Sequence, residues 1–358
     1  MYNTMPVTVL MGCSSTNLSD LIGRLLRTEV PSSMAAIVPK TIGRWKKKKS
    51  KSIIPTVERF IDLGEGCSCC KVRSDLLTKI KKLAEKDPVD HLFIQTFPKT
   101  DLITLAKTFT VANKDQFVLS QVASLSNMVL IVDASQILKT VYSKTARQLV
   151  GQIQFANKVV LTQTSTLSKE GLNHVLAMIE ILNPHVDLIQ GELEDLEPSS
   201  LQSSTPFDLN EAQERFTSVP DPEKIEYTSK AISYLKYFAR KPFHPKRLQE
   251  FIKEKRKNII RANGVFWTTS KPNNAHILNV SAGSWDTSEG GQWWAAAPES
   301  QRPTDGEMHE YLESIWDPTF ADRRQEITFV GLSMDPQELT TSLDQCLLTE
   351  DELSNLKL

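Results

Sequence analysis

Three of the chain's five cysteines, Cys67, Cys69 and Cys70, fall within four positions, far from Cys13 and Cys346. Thiolates are soft donors that suit Zn²⁺ or Cu⁺, and three sulfurs supply all but one ligand of a tetrahedral site. Water, a partner's side chain or a distant residue such as His91 can complete the shell, which leaves the metal exchangeable. Neighbouring residues of an extended segment point to opposite faces, so Cys69 and Cys70 do not both reach one ion from a regular strand. The alternative reading is that the three are small buried packing residues. Their spacing does not resemble the disulfide framework of a small secreted scaffold.

Five lysines crowd into Lys46–Lys51, a run that reads as a solvated loop because no aromatic interleaving or basic helix accompanies it. His244 and His276 read as surface or capping residues rather than metal ligands. Trp285, Trp293, Trp294 and Trp316 are expected in the core of a second domain or on a partner-binding surface. No His-rich tail suggests metal storage.

The elements that must position these residues follow from apolar patterning. A chain of 358 residues suits two domains, and 40% apolar with 24% charged residues is ordinary globular composition. A net charge of −1 gives no general attraction to nucleic acid or membranes, so neither is an expected partner. The apolar run Val7–Met11 is too short for a secretory segment, and no run of membrane-spanning length follows, so a cytoplasmic location is expected. Short apolar strands are expected at Val7–Met11, Ala35–Val38, Phe60–Leu63, His91–Gln95, Met128–Asp133 and Lys158–Thr162. Helices such as Ser74–Ala84 and Ser168–Leu182 lie between them. Nearly unbroken apolar strands alternating with amphipathic helices indicate a mainly parallel sheet covered on both faces. Ligands of such sheets bind beyond the strands' carboxyl ends.

The polar, proline-interrupted stretch 191–226 reads as a linker between a domain at 1–190 and another at 227–358. In the second, strands are expected at Ser233–Arg240, Ile259–Trp267, Ile277–Ala282, Trp293–Ala297 and Glu326–Leu332. Helices are expected at Pro245–Lys255 and Pro336–Leu343, the latter capped by Asp335.

Several landmarks resemble the CobW (CobW/HypB/UreG) family of P-loop GTPases, linked to cobalamin synthesis, nitrile hydratase activation and zinc delivery. The most specific is Gly66-Cys67-Ser68-Cys69-Cys70 within the stretch from Asp62 to Leu76, with Glu65 where the family usually has Asn. Further matches are Arg240-Lys241-Pro242-Phe243-His244-Pro245, Ile260-Arg261-Ala262-Asn263-Gly264-Val265-Phe266-Trp267, Trp293-Trp294-Ala295-Ala296 and Asp322-Arg323-Arg324-Gln325-Glu326. The resemblance runs from Val7 to Leu353 and weakens in 39–56 and in the linker. It implies an α/β fold: a P-loop NTPase-like, mainly parallel sheet domain followed by a small α+β CobW C-terminal domain.

The nucleotide motifs depart from that family. A working phosphate loop needs glycines for close backbone approach, a Lys for phosphate charge and a hydroxyl for Mg²⁺. Aligned on Gly12, Ser15 and Asn17 stand at the usual glycines, Leu18 at the Lys and Ser19 at the hydroxyl. A strand-loop-helix kept for folding fits this pattern, and a phosphate held by the helix N-terminus alone is held weakly. The guanine-reading Asn-Lys-x-Asp is replaced by Thr162-Gln163-Thr164-Ser165, with no carboxylate. The family's Glu-Thr-Thr/Ser-Gly is replaced by Gln95-Thr96-Phe97-Pro98, losing charge and glycine.

Three losses in one site predict a pseudo-GTPase with no catalytic residue to assign, in which GTP and Mg²⁺ binding through Gly12, Ser15, Asn17 and Ser19 is weak or lost. Cys67, Cys69 and Cys70 are the expected metal ligands, with Zn²⁺ the expected ion. A client metalloprotein is expected to dock on the C-terminal domain. A slow GTP-binding metallochaperone GTPase and a metal-independent adaptor are the competing readings.

Overall fold

A computed structural model describes residues 4–12, 18–26, 34–39, 53–56, 74–86, 88–96, 100–111, 116–140, 146–202, 205–219, 221–254 and 258–355. Two compact units emerge. One comprises 1–140, 148–175 and 185–216, the other 141–147, 176–184 and 217–358.

The first unit is built on β1 (Met5–Gly12), β2 (Met34–Pro39), β3 (Ile53–Thr56), β4 (His91–Gln95), β5 (Ala123–Asp133), β6 (Lys158–Thr162) and β7 (Asp187–Gln190). They form one sheet in the order β3-β2-β4-β1-β5-β6-β7, and every neighbouring pair is parallel. Parallel neighbours require crossovers. The described helices between strands are α1 (Leu18–Leu25), α2 (Ser74–Lys86), α3 (Leu102–Thr110), α4 (Ala134–Thr140), α5 (Ala146–Phe155) and α6 (Lys169–Leu182). Val7, Val9 and Met11 are as fully buried as Thr8 and Leu10, so both faces of β1 are covered and an apolar run without alternation results.

One face packs Leu10, Phe93, Val129, Ile131 and Val160 against Leu18, Leu21, Ile22 and Leu25 of α1. That spacing is the i, i+3, i+4, i+7 stripe of an amphipathic helix, and it explains why α1 lies on the sheet. Leu196 and Leu201 join the same cluster. They belong to the stretch 191–226 expected as a linker, which also carries α7 (Leu209–Thr217). Arg215 of α7 donates through Nε to the Gln154 carbonyl at 2.7 Å, and Phe216 meets Phe155 edge-on at 5.8 Å. The division between the units falls inside this stretch, after Phe216.

The second unit holds β8 (Ile232–Ala239), α8 (Pro245–Lys253), β9 (Ile259–Phe266), β10 (Asn274–Ser281), β11 (Ser284–Gln292), α9 (Gly306–Ile315), β12 (Gln325–Leu332), α10 (Pro336–Asp344) and α11 (Glu350–Ser354). Its sheet order is β11-β10-β9-β12-β8, with every pair antiparallel. Leu248 and Phe251 of α8 and Leu339 and Leu343 of α10 pack with Tyr237, Ala262, Leu278, Ile327 and Phe329 of the sheet. The Asp335 carboxylate caps α10, accepting from the N–H groups of Gln337 and Glu338 at 2.9 and 3.2 Å, as the sequence predicts.

Other expectations are corrected. Trp293–Ala297 is not a strand; Trp294–Ala296 is a single 3₁₀ turn following β11. The N–H groups of Trp294 and Ala295 donate to the Asp322 carboxylate at 2.8 and 2.9 Å, which spends the donors that a ladder would use. His276 is partly buried: its ring stacks on Phe266 at 5.2 Å, and its Nε2 is buried without a hydrogen-bond partner. His244 precedes Pro245 at the N-cap of α8 but makes no side-chain cap, and its Nδ1 is likewise buried and unpartnered. The expected strand Phe60–Leu63 lies outside the described residues, whereas β3 pairs with β2 slightly upstream of it.

Candidate functional site

The carboxyl ends of the parallel strands bring together Gly12, Gln95, Asp133, Thr162 and Gln190. Gly12 closes β1 opposite Ile131, and Ser19 lies buried in the first turn of α1. Ser15 and Asn17 fall outside the described residues, as do Cys67, Cys69 and Cys70 and the Lys46–Lys51 run. Among the described residues no group of three His, Cys, Asp or Glu is arranged to hold a metal.

Leu18 is the informative position. Its side chain is 5% exposed and belongs to the apolar cluster with Leu10, Leu21, Ile22, Leu25 and Phe93. Where a phosphate loop would carry an ammonium, this chain has a core side chain facing the sheet.

The other strand ends named above are polar. Gln95 is 6% exposed and its Oε1 has no partner, an uncharged amide where the family pattern has a carboxylate. Thr96 donates both its N–H, at 3.1 Å, and its hydroxyl, at 3.3 Å, to the Leu10 carbonyl, so its hydroxyl holds strand to strand. Asp133 accepts from the Ser135 N–H at 2.7 Å at the start of α4. The Thr162 hydroxyl donates to the Val132 carbonyl at 3.4 Å. None of the described strand-end residues is Lys or Arg.

Beyond Thr162 the backbone turns left-handed at Gln163, with φ of +56°. Its N–H and its side-chain amide donate to the two carboxylate oxygens of Glu192, at 3.1 and 2.8 Å. Sequence reasoning missed Glu192. No motif marks it, and only the parallel pairing of β6 with β7 brings it beside Gln163.

His91, named as a distant fourth metal ligand, opens β4 at the amino end of the sheet. Its Nε2 lies 2.9 Å from the Thr8 hydroxyl and its ring 4.7 Å from that of Phe93, and burial lowers its pKa to about 4. That ring nitrogen is committed inside the sheet, at the end away from Gly12.

A profile of the CobW/HypB/UreG nucleotide-binding domain matches residues 6–190, and one of the cobalamin synthesis protein cobW C-terminal domain matches residues 232–347. The chain belongs to the CobW family. This CobW protein is 26% identical to the zinc-regulated GTPase metalloprotein activator 1 of Dictyostelium discoideum, over 98% of its own length and 82% of the relative's. It is 22% identical to a zinc chaperone of Mycobacterium tuberculosis, over 88% and 81% of the two chains. The crystal structure of the Zn(II)-bound YjiA GTPase of E. coli aligns with a TM-score of 0.40 at 14% identity, over 97% of this chain and 100% of that one.

The described residues do not fit a magnesium triphosphate. Leu18 is turned into the core, Gln95 is neutral, and the described strand ends contribute no cation to offset phosphate charge.

Proposed function

We propose that this CobW-family protein is a cytoplasmic zinc-handling, metallochaperone-like protein in which GTP binding and hydrolysis are weak or lost. The observation that carries the nucleotide half is the burial of Leu18 among the leucines of α1. A triphosphate needs positive charge at its cradle, and a residue that anchors α1 to the sheet cannot supply it. The zinc half rests on donor chemistry: Cys67, Cys69 and Cys70 form a thiolate set suited to Zn²⁺, with a fourth position left for exchange. The zinc-related names of the two relatives support the same ion.

A client-docking role for the second unit is supported by its surface. The exposed large apolar side chains among the described residues are Tyr234, Phe238, Met308, Tyr311 and Trp316, all within the stretch matching the CobW C-terminal domain. Exposed aromatics of this kind are the usual anchors of protein interfaces. No described helix is long and apolar enough to cross a membrane.

Calorimetry with Mg²⁺-GTP and Mg²⁺-ATP tests the first half. No binding up to roughly millimolar nucleotide is expected, and tight binding with turnover overturns it. Competition titration of the reduced protein with Zn²⁺ tests the second. Affinity should collapse when Cys67, Cys69 and Cys70 are replaced by Ser together, and unchanged affinity removes the metal reading.

A further inference from the structure

The sheet of the second unit ends at β8, which pairs with β12 on one side and with no other described strand. The Ser333 N–H donates to the Ala231 carbonyl at 2.7 Å, one step beyond the Leu332–Ile232 pair. Opposed residues of an antiparallel ladder exchange hydrogen bonds only at every second pair, so in β8 it is the odd-numbered residues that do so. Ser233, Leu235, Tyr237 and Ala239 therefore turn their N–H and C=O groups toward β12. Tyr234, Lys236 and Phe238 turn theirs outward, where the described residues offer no backbone partner.

The side chains alternate in step. Leu235, Tyr237 and Ala239 pack into the core with α8 and α10, whereas Tyr234, Lys236 and Phe238 stand exposed on the opposite face. Tyr234 and Phe238 are 40% and 56% exposed. Edge strands are commonly kept single by a free lysine, a proline or a bulge. β8 holds no proline, and its register with β12 runs without a shift. Lys236 is no free charge, since its ammonium meets Asp221 at 2.8 Å and Glu223 at 2.7 Å. The Arg240 guanidinium carbon lies 5.1 Å from the Phe238 ring centre, and Nη2 of the same residue donates to the Ile315 carbonyl at 2.7 Å, which steadies the ring in its exposed pose.

The spacing is self-complementary. An antiparallel pairing of β8 with its own copy, centred on Lys236, opposes outward backbone groups at every second pair and sets Tyr234 against the second copy's Phe238 on both sides of the axis. Lys236 then faces its counterpart, each ammonium already neutralised by two carboxylates. Slipping the register by two residues, the smallest shift that keeps outward groups opposed, sets lysine against an aromatic ring instead. We propose that β8 is the docking edge for a second copy of this chain, joining two five-stranded sheets across a two-fold axis. That role takes Tyr234 and Phe238 from the surface offered to a client and leaves it Met308, Tyr311 and Trp316. It stands apart from the zinc and nucleotide readings.

Sedimentation equilibrium of the full chain between about 1 and 100 µM tests it, and the parent should pass from monomer to dimer within that range. Lys236→Pro removes an outward N–H and no ladder bond to β12, so this variant should melt natively while its dimer dissociation constant rises by about tenfold or more. Tyr234→Lys combined with Phe238→Lys opposes like charges and should weaken the dimer similarly. Tyr234→Lys combined with Phe238→Glu opposes unlike charges in both halves and should dimerise about tenfold or more tightly than the like-charged variant. A parent that stays monomeric throughout overturns the proposal, whether the edge is then empty or serves an extended segment of another protein. So do natively melting Lys236→Pro and like-charged variants that dimerise as tightly as the parent. Equal affinity in the two charged variants overturns it as well. Zinc competition and nucleotide titration of Lys236→Pro should match the parent's, so those readings stand or fall separately.

Discussion

Nε2 of His91 lies 2.9 Å from Oγ1 of Thr8 across the β4–β1 pairing, and the same hydroxyl oxygen accepts from Nδ2 of Asn127 on β5 at 3.2 Å. Accepting from Asn127 leaves the Thr8 proton free to donate to a neutral imidazole, so three central strands share one buried polar node. Burial lowers the His91 pKa from 6.5 to about 4. Between those values the unfolded chain takes up a proton that the native chain refuses. The stabilisation is therefore complete above pH 6.5 and is lost as pH falls toward 4, by about 3 kcal/mol in all. Urea midpoints measured above and inside that window should show the loss, and His91→Gln should flatten it.

Leu18→Lys should destabilise the protein at least as much as Leu18→Ala, which itself should cost about 2–5 kcal/mol through the cavity left beside Leu10 and Ile22. A side chain that faced a phosphate would give the opposite ranking. Thermal melts of the two variants decide between these outcomes, and GTP titration of Leu18→Lys should still show no tight binding.

Gly264 sits in β9 where an added Cβ would fall on the Glu326 carbonyl oxygen and 2.5 Å from the Ile327 Cα of β12. The obstacle is backbone of the neighbouring strand and cannot swing aside. Gly264→Ala should cost roughly 1–3 kcal/mol or more, read as a lowered denaturation midpoint.

Asp322 accepts two backbone N–H groups from the turn at Trp294–Ala295, and Arg324 lies with its guanidinium carbon 5.9 Å from the centre of the Trp293 ring. Asp322→Ala should leave two N–H groups without their acceptor and cost about 2–4 kcal/mol. Hydrogen exchange should quicken at Trp294 and Ala295 before the rest of the sheet.

The residues show which parts of this architecture are readable locally. β1, β4 and β6 announce themselves because both of their faces are buried, so Val7–Met11 and Lys158–Thr162 are mostly apolar, with no alternation of exposed positions. β11 gave no signal: Ser284–Gln292 is a polar, glycine-containing strand that, among the described residues, pairs only with β10. Trp293–Ala297 reads as a strand by composition and is turned aside by Asp322, nearly thirty residues away. Leu18 could be seen as a missing ammonium from its place in the motif, but its membership of the core needed the fold. Glu192 could not be found at all, since its meaning depends on the neighbour that β6 supplies.

The position of β1 bears on how the protein is made. Its neighbours, β4 and β5, begin at His91 and Ala123, and the tie from Thr96 back to Leu10 spans 86 residues. During synthesis β1 thus waits unpaired until β4 has followed, and one of its edges stays open until β5 begins at Ala123. A nascent chain with so late a closure is a natural passenger for chaperones, and a truncated product ending before Ala123 would expose the edge of β1 that β5 should occupy.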